Sequence, residues 1–171
     1  MPARKKAKTM KAAKSVDMSN IHKMAVGDKK IGEYWEVAKL PVYVSIGLSV
    51  LSMLLLFAGA FALGIIGLVG LVGLAVWLWL GWRAVKEFRY DLKSSVIAGA
   101  VGGVVSGIVG AVITVVQYSM FASMMAGVYG ASYATLAGAG MVTGAIMAPV
   151  MGAIMGAIIA GIGAFIAQNM K

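Results

Sequence analysis

Cysteine is absent from this chain. Its absence excludes a disulfide framework, a thiolate metal site, a cysteine nucleophile and palmitoylation. Histidine occurs once, at His22. A Ser–His nucleophilic site within a membrane and a histidine-based metal site therefore lack their residues. Residue 2 is proline rather than glycine, which excludes N-myristoylation. Charge is missing over two long stretches. Residues 41–82 and 94–170 hold no Lys, Arg, Asp, Glu or His. Ion-coupled transport through a membrane carboxylate needs an ionisable residue facing a cavity, and so does a charged selectivity ring. Neither stretch can supply one. No enzyme activity, cofactor or metal is expected from this inventory.

What remains is apolar. The chain is 61% hydrophobic and 12% charged, against about 25% charged in ordinary soluble domains. A spanning helix needs about 20 apolar residues. The first uncharged stretch has room for two passes and the second for two or three. The pattern predicts an all-α integral membrane protein, a four-helix transmembrane bundle with a fifth span as the alternative. Residues 41–82 form the first hairpin, with spans near 41–56 and 61–82 and a tight turn at 58–60. Residues 94–171 form the second, with spans near 94–117 and 140–167. The segment 118–139 is rich in Ser, Tyr, Met, Gly and Ala and is less apolar; it reads as an extracytoplasmic loop, with a re-entrant segment or a fifth crossing as alternatives. The tripeptide Ala60–Phe61–Ala62 resembles a signal-peptidase site, yet apolar sequence follows at once, so an uncleaved hairpin is expected.

The charged segments set the orientation. Residues 1–16 carry Arg4, Lys5, Lys6, Lys8, Lys11 and Lys14 with no acidic residue. Nothing there can bury a core, so a disordered basic tail is expected. Residues 17–40 read as a juxtamembrane, interfacial amphipathic segment. Asp28 is its candidate N-cap, and Ile31, Tyr34, Trp35 and Ala38 form one apolar stripe. Trp35 and Tyr34 suit the headgroup level, and Pro41 suits the first turn of the first span. Residues 83–93 form the second charged segment. Within it Glu87 and Asp91 share a face with Arg83 nearby, which reads as a solvated connector rather than an acid–base pair. Residues 1–39 hold ten Lys/Arg and residues 83–93 hold four. The positive-inside rule then places both termini in the cytoplasm. The expected location is a multi-pass prokaryotic plasma membrane with an anionic inner leaflet against the basic tail. Nucleic acid is disfavoured as a partner, because the tail has no aromatic residue to stack on bases.

Glycine supplies the second pattern. Of 23 glycines only Gly27 and Gly32 precede Pro41. Small residues let membrane helices approach closely. Gly99, Gly103 and Gly107 recur every four residues. So do Gly140, Gly144, Ala148, Gly152, Gly156 and Ala160. These ridges are expected to pack on each other or on further copies. Gly64, Gly67, Gly70 and Gly73 recur every three residues and so wind around their helix. Pro149 interrupts the last span and is expected to kink it by freeing the carbonyl of Ala145. No phosphate-loop spacing is met; Gly161–Ile162–Gly163 is followed by Ala, Phe and Ile within an apolar run. The combined reading is a non-enzymatic scaffold or interaction subunit that packs through its glycine-rich helices, as a homo-oligomer or on a membrane-protein partner. The alternative is a small oligomeric pore or transporter for neutral or hydrophobic solutes.

Overall fold

In a computed structural model, residues 25–26, 29–56, 62–129 and 131–170 are described. The basic tail, Asp28 and the 58–60 turn lie outside these residues. The described residues are all-α apart from a short antiparallel pair, β1 (Ala25–Val26) and β2 (Lys29–Lys30), in the register Ala25 to Lys30 and Val26 to Lys29. Four helices follow: α1 (Ile31–Leu56), α2 (Ala62–Lys86), α3 (Leu92–Tyr129) and α4 (Ala131–Asn169). All four are long and apolar enough to cross a membrane, and the chain is a small multi-pass membrane protein. Helix α3 packs most extensively on α4, α4 also packs on α2, and α1 packs on both α2 and α3. The order around the bundle is thus α1–α2–α4–α3, with α1 and α4 on a diagonal. Large side chains such as Leu68, Leu71, Val112, Ile146 and Phe165 point outward. A lipid solvent makes that arrangement free of hydrophobic cost.

Two expected boundaries differ from those observed. The interfacial segment and the first span are one helix, and Pro41 lies inside it rather than in its first turn. Tyr34, Val37 and Ala38 are fully buried in the bundle, so that stripe packs on protein instead of lying on headgroups. Trp35 is half-buried and meets Tyr43 edge to face, with ring centroids 6.2 Å apart. Second, residues 118–139 are not a loop: α3 continues to Tyr129 and α4 begins at Ala131. Lower hydropathy there was no barrier to helix, since the segment contains no proline and is rich in Ala and Met, good helix formers. The 38 residues of α3 make about 57 Å at about 1.5 Å each, longer than a whole bilayer of about 40–45 Å. Helix α2 runs on to Lys86 and leaves a connector of five residues, 87–91.

Local chemistry explains how sharply that connector turns. The Tyr90 N–H donates to the Ala84 carbonyl at 2.9 Å, and Arg89 adopts φ of 54°. A left-handed residue before a closing bond is a recurrent helix-ending motif; this closure, between residues six positions apart, is one residue longer than the Schellman form. Tyr90 and Ala84 belong to one buried cluster, which supplies the hydrophobic contact that commonly accompanies the motif. Asp91 then caps α3: its Oδ1 accepts from the Ser94 N–H at 3.0 Å. At the other end of the chain's helices, Glu33 stands in the first turn of α1 and accepts from the Lys30 N–H at 3.5 Å, where a carboxylate also favours the helix dipole.

Candidate functional site

Two features organise the molecule: a seam of glycines and a charged end. In the seam, a Cβ built on Gly103 would stand closer than 3.0 Å to the carbonyl oxygen of Gly152. The same holds for Gly99 against Gly156, Gly107 against Ala148, Gly152 against Gly103 and Gly156 against Gly99. The obstacle in each case is helix backbone, which cannot swing aside as a side chain can. Helices α3 and α4 are therefore in backbone contact over three antiparallel rungs. Pro149 sits at the last rung, with its Cα facing Gly107, inside a helix that continues on both sides.

The predicted ridge is not used along its whole length. Gly140 and Gly144 have nothing within 4 Å of a built Cβ. Gly67, Gly70 and Gly73 of α2 are equally open, as glycines that wind around a helix would be. Sequence reasoning missed Gly81 and Gly163. A Cβ on Gly81 would collide with the Ala160 carbonyl, and one on Gly163 with the Leu78 carbonyl, so α2 also meets α4 through backbone. A signal was present: Gly73, Trp77 and Gly81 shift α2 from three-residue to four-residue spacing, and Ala164 extends the α4 ridge beyond Ala160.

The charged end gathers the start of α1, the end of α2, the connector and the end of α4. Arg83 is its centre. Its Nε donates to Glu87 Oε2 at 2.6 Å and its Nη1 to the Val37 carbonyl at 3.5 Å. Pro41 has no N–H, so it leaves the carbonyl four residues earlier, that of Val37, without its intrahelical donor. A residue from α2 thus completes the hydrogen bonding of α1. The guanidinium also lies 5.2 Å from the Phe88 ring centroid and 5.8 Å from that of Trp79, within cation–π range. Lys86 Nζ donates to the Met170 carbonyl at 2.6 Å, joining the ends of α2 and α4. The Tyr90 hydroxyl donates to the Glu33 carbonyl at 3.2 Å, its ring meets Tyr34 edge to face at 5.9 Å, and Lys29 Nζ lies 4.4 Å from its centroid. Burial pushes the Tyr90 phenol above its ordinary range, with Glu33 and Tyr34 adding to the effect. The bonds from Ser94 hold the Asp91 carboxyl below its ordinary range. Lys39 pairs with Glu36 on the exposed face of α1.

The described carboxylates at this end all have structural partners. Every described carboxylate other than Glu33 and Asp91 is ion-paired, and those two cap helices. Among the described residues no three His, Cys, Asp or Glu side chains come together as a metal site would require. Comparison with protein families, with curated proteins and with solved structures finds no match to this chain.

Proposed function

We propose that this protein is a non-enzymatic membrane scaffold or interaction subunit. The observation that carries the reading is the charged end, where hydrogen bonds from Arg83, Lys86 and Tyr90 tie α2 and the connector to α1 and α4. Below it, the α3–α4 and α2–α4 backbone contacts hold the helices at fixed spacing. A rigid bundle thereby presents one basic face at the membrane surface. With both termini cytoplasmic, Arg89 and Lys93 stand exposed on that face, and the basic sequence from Arg4 to Lys14 belongs to the same side of the membrane. The partners that fit are the anionic inner leaflet, at about 1 kcal/mol per basic residue close to the surface, and a second copy or membrane-protein partner.

The test is isolation of the full chain in mild detergent and in lipid nanodiscs. Recovery of a stoichiometric protein partner or a defined oligomer, with retention of anionic over zwitterionic lipid that weakens as salt rises, is the expected result. A monomer that retains both lipids equally would overturn the reading. The pore or transporter alternative draws on a different observation, two open clefts between helices, described below. It predicts swelling of liposomes in a neutral solute, which the scaffold reading does not.

A further inference from the structure

Hydroxyl groups in membrane helices normally bond back to their own backbone. Ser49 does so, donating to the Ser45 carbonyl at 2.9 Å, and Thr143 donates to the Ala139 carbonyl at 3.0 Å. Ser45 and Ser106 do not. Their Oγ atoms are buried and have no hydrogen-bond partner, a costly state for a polar group away from water. Each of them lines a cavity. Ser45, Ser49 and Ser52 of α1 line an open cleft of about 280 Å³ together with Gly70, Gly73 and Trp77 of α2. Ser106 lines a second cavity of about 230 Å³ beside Gly103, Gly107 and Gly152, and Trp77 is again in its wall.

The position and lining restrict what these spaces can hold. Gly73 and Gly70 stand about 15 to 20 Å along α2 from Arg83, near the middle of a hydrocarbon layer about 30 Å thick. No charged side chain lines either cavity, so an ionic ligand would be buried uncompensated. A purely apolar ligand would leave both serine hydroxyls orphaned. The volumes lie just below the range of about 300–1,000 Å³ typical of small-molecule sites. An aromatic wall with hydroxyls opposite matches a compact ligand that has both an apolar face and oxygen atoms.

We propose that the cavities on either side of Trp77 form a two-compartment site for a small uncharged molecule bearing hydroxyl or carbonyl oxygens, anchored by Ser45 and Ser106. The site stands independently of the scaffold reading. Its ligand chemistry has two sources, a water-borne polyol or the glycerol-like portion of a neutral lipid. Replacing Trp35, Trp79 and Trp82 by Phe leaves Trp77 as the sole tryptophan of the full chain, excited selectively at the red edge in nanodiscs. Glycerol is added to the aqueous phase in one arm, and diacylglycerol is doped into the bilayer in the other. A saturable change in Trp77 emission with either probe is expected, and the responding probe identifies the source. Ser45→Ala and Ser106→Ala should each weaken the response by about fivefold to tenfold, the worth of one hydrogen bond. Gly73→Leu, which fills the cleft, should abolish it. Should the triple Phe background not fold, the same probes are read as saturable shifts in wild-type melting temperature. A response that stays linear with concentration, one that is unchanged in both serine variants, or none with either probe would overturn the proposal.

Discussion

Alanine in place of glycine should change stability in opposite directions along this chain, and the structure says where the sign reverses. At Gly103 the new methyl group meets the Gly152 carbonyl and the backbone beside it. Relief requires α3 and α4 to separate. Overpacking a tight site costs about 1–3 kcal/mol, and a backbone obstacle places this one at the upper end. Ala gains about 1 kcal/mol over Gly in a helix interior, so Gly103→Ala should lose about 2 kcal/mol net. At Gly70, nothing lies within 4 Å, only the propensity gain applies, and Gly70→Ala should gain up to about 1 kcal/mol. For a chain of this size 1 kcal/mol moves the melting temperature by about 2–4 °C. Thermal unfolding in mild detergent should therefore show a drop of about 4–8 °C for Gly103→Ala and a small rise for Gly70→Ala. Gly152→Ala and Gly81→Ala should follow the first, and Gly144→Ala the second. Leucine at Gly103 or Gly152 should be worse than alanine. Shifts of the same sign at Gly103 and Gly70 would refute the seam.

Arg89 holds a left-handed conformation that costs a non-glycine residue about 1–2 kcal/mol, so Arg89→Gly should raise the melting temperature where Arg89→Ala does not. Asp91 has a folded-state pKa below its unfolded value, so its contribution is present above about pH 4 and is lost as pH falls through the lower folded value; Asp91→Ala should cost about 1 kcal/mol at neutral pH, while Asp91→Asn should keep the cap and flatten the acid limb of a pH–stability curve. Arg83 and Pro41 should be coupled: Arg83→Ala should destabilise the wild type more than the Pro41→Ala variant, in which Val37 regains an intrahelical donor, and a double-mutant cycle reads the difference. Without native cysteines, single-cysteine variants at Ser15, Lys93 and Asn169 should resist an impermeant thiol reagent in intact cells while Ser132→Cys reacts; labelling at Asn169 would refute a cytoplasmic C-terminus.

The architecture was legible because a membrane imposes its own period on the sequence. Two uncharged blocks bounded by Lys and Arg admit few arrangements, and four apolar helices are observed. The four-residue spacing of Gly99, Gly103 and Gly107 likewise pointed to a close helix contact. Boundaries were harder to read. Hydropathy reports what a bilayer solvates, whereas a helix continues wherever its backbone hydrogen bonds can be made, so α3 and α4 pass through 118–139 despite its mixed composition. Pro41 misled for a related reason. Its missing N–H looked tolerable only in a first turn, but tertiary structure provides Arg83 at the orphaned Val37 carbonyl. No local pattern encodes that pairing of residues 46 positions apart. The orphaned hydroxyls of Ser45 and Ser106 were equally invisible, because a serine that bonds back to its own helix and one that faces a cavity look alike in sequence.

The glycine seam also constrains how the protein can associate. A ridge that holds α3 against α4 by backbone contact cannot simultaneously receive another helix, since the approach that makes it useful excludes a third body. Gly99, Gly103, Gly107, Gly152 and Gly156 are occupied within the chain. Any second copy or membrane partner must therefore meet another face. Among the other faces, two contrast in chemistry: the α2 surface, where Gly67 lies open beside the exposed Leu68 and Leu71, and the charged end around Arg89 and Lys93. The first would be indifferent to salt and sensitive to bulk at glycine; the second would weaken with salt and be insensitive to it. Leucine at Gly67 combined with a salt titration of the oligomer separates them, because each perturbation acts on one face and leaves the other intact.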